Sequence, residues 1–140
     1  MRVCRRCCFS LASVLLRSTY GVVLKARHKE TGQIVAIKKF KESDEDEQVR
    51  KTALREVRIL KQLKHPNVVR LWEIIYAADR IYLVMEFCGG GDLAGAIAKH
   101  GPLPESPVVE RLMAQLAAGL EFLWTRNLIH RDIKPQNILL

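Results

Sequence analysis

Ten residues carry most of the chemistry in this chain: His130-Arg131-Asp132-Ile133-Lys134-Pro135-Gln136-Asn137-Ile138-Leu139. They set a carboxylate, an ammonium and a carboxamide at Asp132, Lys134 and Asn137, in a loop that leads into apolar residues of strand type. Phosphoryl transfer calls for those three groups at one point. A carboxylate orients an attacking hydroxyl and accepts its proton, a cation sits near the moving phosphoryl, and an amide oxygen binds Mg²⁺. Asp132, Lys134 and Asn137 are therefore the candidate catalytic residues, and Asn137 is the candidate metal ligand.

A second constellation lies upstream. Val35-Ala36-Ile37-Lys38 reads as a strand ending in a lysine whose ammonium can reach nucleotide phosphates. Glu56 follows in the middle of a helical pattern. Alone, Glu56 reads as a solvent-facing acid. Set against Lys38, it would hold a lysine stem that is otherwise flexible.

In this order and context the motifs resemble a eukaryotic protein kinase from Tyr20 to Leu140. The resemblance implies an α+β fold, with a small lobe of antiparallel sheet plus one helix and the first part of a helical second lobe. It implies ATP and Mg²⁺ as cofactors and a protein as substrate. By the same resemblance Lys38 meets the α- and β-phosphates and pairs with Glu56. Asp132 is the base or orienter, Lys134 faces the γ-phosphate, and Asn137 binds Mg²⁺. Met85 falls at the gatekeeper position, Glu86 and Cys88 offer backbone groups to adenine, Val23 and Ala36 sandwich the ring, and Asp92 reaches the ribose. Lys134, two places after Asp132, is similar to kinases directed at Ser and Thr rather than Tyr. Thr52-Ala53-Leu54-Arg55-Glu56 resembles cyclin-dependent and cyclin-dependent-like kinases, whereas Glu86 to Leu93 and Leu128 to Asp132 look closer to autophagy-initiating kinases.

The elements that must position these groups are also legible. Val22-Val23-Leu24 and Ile34 to Ile37, around a turn ending Thr31-Gly32, predict an antiparallel hairpin. Val49, Ala53, Val57 and Leu60 form a helical stripe, with Ser43 as N-cap and acids in the first turn. This 49–63 helix is the expected seat of a regulatory partner. His65-Pro66-Asn67 ends it, and strands are expected over Val68–Ile75 and Arg80–Glu86. Gly89-Gly90-Gly91 marks a joint between lobes. A short helix is expected from Asp92 to Lys99, and a long one from Glu105 to Thr125, striped by Val109, Leu112, Met113, Leu116, Leu120 and Leu123.

Composition sets wider bounds. With 49% apolar and 27% charged residues the chain reads as a globular protein with no low-complexity tract. Much of the net charge of +8 comes from Arg2, Arg5, Arg6, Arg17, Lys25 and Arg27, all ahead of the first acid, Glu30. A charge this local, without interleaved aromatics, is not a nucleic-acid-binding face. The uncharged stretch Cys7 to Leu16 is too short to span a bilayer. Cys4, Cys7, Cys8 and Cys88 lack the second pair a zinc site needs, so free thiols and a cytoplasmic place are expected, the nucleus being the other compartment.

Two departures from the family pattern carry expectations of their own. Its glycine-rich loop would place glycines at positions 16 and 18, where Leu16 and Ser18 stand, so only Gly21 remains. Residues 1–17 are taken as an atypical segment, with a disturbed first strand and weaker phosphate cover. The chain then divides into a first lobe over 18–87 and a partial second lobe over 88–140. The family's D-F-G aspartate would stand about thirteen residues beyond Asn137, past Leu140. A truncated domain, inactive by itself and with an exposed apolar patch, is the resulting expectation. A non-catalytic module that binds nucleotide or a partner is the alternative.

Overall fold

The computed structural model describes residues 9–18, 21–40, 57, 59–77, 80–103 and 106–140. They fall into two compact units, residues 1–64 with 69–87, and residues 65–68 with 88–140.

The first unit is built on a five-stranded antiparallel sheet, β1 Phe9–Ser18, β2 Gly21–His28, β3 Ile34–Phe40, β4 Leu71–Ala77 and β5 Arg80–Glu86, in the order β1-β2-β3-β5-β4. The predicted hairpin is β2–β3. Its turn is closed by His28 N–H to Gln33 O at 2.8 Å and Gly32 N–H to His28 O at 2.8 Å, with Gly32 at φ 72°. Glycine takes that left-handed backbone without the clash a Cβ would bring.

Period-two alternation splits the sheet into two faces. Ala26, Val35, Ile37, Ile75 and Val84 form a buried cluster on one, with Leu24 and Tyr82 packed against it. Val57, at 3% exposure, belongs to the helical residues 57 and 59–62. Ser43, Val49, Ala53 and Glu56, on which the helix expectation also rested, lie outside the described residues.

Two strand expectations need correcting. β4 begins at Leu71 and runs to Ala77, three residues later than expected at its start. Val68 is spent closing a turn, its N–H donating to His65 O at 3.1 Å, and pairs only with His65. The first strand was expected to be disturbed. It forms over ten residues, and the departure is confined to two register irregularities, between Leu11 and Ser13 and between Val14 and Leu16. Ladder hydrogen bonds use backbone groups that every non-proline residue has, so missing glycines do not prevent pairing.

The second unit holds α1 Leu93–His100 and α2 Pro107–Trp124. Asp92 caps α1, accepting from Gly95 N–H at 2.8 Å, and Gly101 at φ 83° ends it. Lys99 and His100 in the last turn suit the helix dipole. Pro107 opens α2, where the missing N–H costs nothing. The helix closes with Asn127 N–H to Trp124 O at 2.9 Å and Leu128 N–H to Leu123 O at 3.0 Å, Asn127 standing at φ 56°. That is a Schellman close with asparagine in the glycine position. Of the α2 stripe, Leu123 is buried, Leu112, Leu116 and Leu120 are half-buried and Met113 is exposed. Among the described residues no helix is long and apolar enough to cross a membrane.

Candidate active site

The loop after α2 owes its shape to a few local bonds. Arg131 stands at φ 65°, a left-handed conformation that costs a non-glycine residue ~1 kcal/mol. Asp132 N–H donates back to His130 Nδ1 at 3.3 Å. A short 3₁₀ turn over Pro135–Asn137 then folds the amide toward the acid. Asn137 Nδ2 donates to both the Asp132 carbonyl and Asp132 Oδ2, each at 2.8 Å, and Lys134 Nζ reaches the same Oδ2 at 2.9 Å. The three residues named from sequence spacing are thus one cluster.

Its electrostatics follow from those contacts. The hydrogen bond from Lys134 and then that from Asn137 favour the charged carboxylate and hold the Asp132 pKa below its ordinary value. Asp132 is therefore an ionised acceptor near neutral pH. With Oδ2 occupied by Lys134 and Asn137, Oδ1 is the oxygen that can meet an incoming hydroxyl.

The loop is tied to the start of α1 by a short antiparallel pairing. Gly90 N–H donates to Leu140 O at 2.9 Å, Leu140 N–H to Gly91 O at 3.0 Å and Leu93 N–H to Ile138 O at 2.9 Å. A Cβ on Gly90 would come within 2.8 Å of the Leu140 carbonyl, so only glycine fits. Asp92, expected at a ribose, lies in this segment with Oδ1 engaged as the helix cap.

In the first unit, the expected nucleotide residues share one face. Val23 is the direct partner of Lys38, and Ala36 is the direct partner of Met85. Directly opposed residues in antiparallel strands point the same way. Val23, Ala36, Lys38 and Met85 therefore lie together, on the side opposite the Ala26–Val35–Ile37–Val84 cluster. Gly21 opens β2. Glu56, the expected partner of Lys38, lies outside the described residues.

Glu86 ends β5 in an arrangement the sequence did not disclose. Its N–H donates to Arg70 O at 2.9 Å, but the return bond from Arg70 N–H lands on Glu86 Oε2 at 3.3 Å. The side chain replaces the backbone carbonyl in that exchange. Also missed was Lys25, whose partner across the ladder is Ala36, and whose ammonium lies 4.6 Å from the Phe87 ring centre. Alternation along β2 would have put Lys25 on the Val23 face, but nothing in the sequence marks its aromatic contact. Cys88 is half-buried and is not in a disulfide.

Mg²⁺ seeks hard oxygen ligands and is usually held by one or two carboxylate or amide oxygens together with substrate phosphates. Asn137 spends its nitrogen on Asp132, which leaves the amide oxygen as its donor to a metal. Among the described residues no cluster of three or more His, Cys, Asp or Glu could hold an ion unaided. This donor set suits a metal that arrives on a nucleotide.

Comparison with known proteins agrees with the geometry. The family model described as "Protein kinase domain" matches residues 11–140. Residues 11–17, expected to bear no resemblance, thus fall within the matched span. The serine/threonine-protein kinase ATG1a of Arabidopsis thaliana is 43% identical over 132 residues, covering 94% of this chain and 21% of the relative. Cyclin-dependent kinase-like 4 of Mus musculus is 46% identical over 122 residues, 87% of this chain and 35% of the relative. Cyclin-dependent kinase-like 2 of Homo sapiens is 47% identical over 121 residues, 86% of this chain and 24% of the relative. Both groups that the sequence resembled are represented. The chain spans between about a fifth and about a third of the length of these relatives.

Proposed function

This chain belongs to the protein kinase family, and from that premise we propose that its gene product is a protein serine/threonine kinase. It takes Mg·ATP as the phosphoryl donor and a protein hydroxyl as the acceptor. The observation that carries the reading is the Asp132–Lys134–Asn137 cluster, in which the acid is kept ionised by the lysine and the amide. The metal, bound with the nucleotide, neutralises charge on the phosphates. Asp132 Oδ1 orients the Ser or Thr hydroxyl and accepts its proton as the hydroxyl oxygen bonds the γ-phosphorus and the bond from that phosphorus to the β,γ-bridging oxygen breaks, ADP leaving. Lys134 leaves Oδ2 for the transferring phosphoryl, and the Asn137 amide oxygen would meet the metal.

Val23 and Ala36 take the adenine ring between apolar side chains, with Met85 behind it. The Glu86 carbonyl, left out of the exchange with Arg70, accepts from the adenine amino group, and the Cys88 amide donates beside it. Lys38, with Glu56 as its partner, carries the α- and β-phosphates. Asp92 keeps its second oxygen for a ribose hydroxyl while the first caps α1. Gly21 is the part of the phosphate cover that remains. The 49–63 helix receives a regulatory partner, and the cytoplasm, where ATP is abundant and thiols stay reduced, is the proposed place of action.

Equilibrium binding of Mg·ATP to the full gene product tests the nucleotide half of this reading. Saturable binding that weakens about tenfold or more in Lys38→Met is the expected result. Equal affinity in the two proteins, or none in either, would refute it. The alternative, a module that binds nucleotide or a partner without catalysis, predicts the same binding and no transfer.

A further inference from the structure

Lys25 lies on the face assigned to the nucleotide, yet no part of the phosphotransfer scheme uses it. β2 is separated from β5 by β3. From β2 the Lys25 ammonium nevertheless reaches the ring of Phe87, the residue just after β5, at 4.6 Å from the centroid. Both side chains are half-buried. On its β4 side the same stretch of backbone is held by Arg70, which accepts from Glu86 N–H and donates to the Glu86 carboxylate. Glu86 and Phe87 are therefore pinned from two sides, by Arg70 and by Lys25. Between these pins lies the Glu86 carbonyl, a group that reads adenine in the proposed function.

We propose that Lys25 is a positioning residue for adenine recognition, its ammonium–Phe87 contact fixing the backbone of Glu86 and Phe87 in register with Val23 and Ala36. The inference rests on the nucleotide reading above. A cation over an aromatic face at a partly desolvated site is a modest interaction. It holds a ring, and thereby a peptide plane, without touching the reacting atoms. The loss of the contact should thus loosen ATP binding and leave the chemical step alone.

The test compares steady-state kinetics of the full gene product with those of Lys25→Met, Lys25→Arg, Phe87→Leu and the double variant Lys25→Met/Phe87→Leu. Lys25→Met keeps the length of the stem without its charge and should raise KM for ATP about two- to fivefold with kcat unchanged. Lys25→Arg, which restores the cation, should return KM to the wild-type value. Phe87→Leu should raise KM by a similar factor, and the double variant should add nothing further. An unchanged KM in Lys25→Met overturns the proposal, as does additivity in the double variant, or a fall in kcat matched by a lower melting temperature. If Lys25→Met does not fold, Phe87→Leu with unchanged KM overturns it equally. A wild-type protein that binds no ATP removes both the clamp and the kinase reading, whereas normal ATP affinity in every variant removes the clamp alone.

Discussion

Asp132 shows how a surface acid can be kept ionised by two short bonds. Lys134 and Asn137 converge on its Oδ2 and depress its pKa, the lysine contributing most. A depressed carboxylate contributes stability above its unfolded pKa and loses it as pH falls through the folded value. The acid limb of activity should accordingly fall below the ordinary carboxylate range so far as Asp132 sets it. Lys134→Met removes the largest cause and should move the Asp132 titration upward, toward an unperturbed aspartate, as read by carboxyl ¹³C NMR. No upward movement would mean that the lysine does not hold the acid. At this scale the sequence was informative where spacing fixes the chemistry, since offsets within one tight loop leave little freedom. It was silent on Lys25 and Phe87, which lie far apart in the chain and meet only because β3 joins β2 to β5.

Elements were legible wherever local signals agreed. The β2–β3 hairpin combined β-branched runs with a Thr31-Gly32 turn, and α1 combined an Asp92 cap with Gly101 after its last turn. β4 starts later than its sequence suggests because Val68 and Val69 look like strand residues, while the His65 turn claims the Val68 backbone. Nor could propensity reveal that residues 138–140 would pair with the segment around Gly90. That pairing holds the end of the loop after α2 against the start of α1, and it depends on a position with no side chain. Gly90→Ala would push a methyl into the Leu140 carbonyl, which must shift by several tenths of an ångström. The expected cost is about 1–3 kcal/mol in urea unfolding, the scale of overpacking in a tight contact. A value near zero would show that the 138–140 segment is not fixed there.

For the molecule as a whole, the family follows from agreement between independent features. The strand order, the shared face of Val23, Ala36, Lys38 and Met85, and the Asp132 cluster agree with a family match over residues 11–140. Of the α2 stripe expected to be exposed, Met113 alone is, at 53%, while Leu112, Leu116 and Leu120 are half-buried and Leu123 is buried. The first strand, for its part, forms without the glycines at 16 and 18. The account stands or falls on transfer itself: incubation of the full gene product with ATP labelled at the γ-phosphate and a mixed protein substrate, beside its Asp132→Asn variant. Label on serine or threonine, reduced at least about a hundredfold in the variant while nucleotide binding persists, is the predicted result. Equal transfer by both proteins, or binding of nucleotide with no transfer by either, would contradict it.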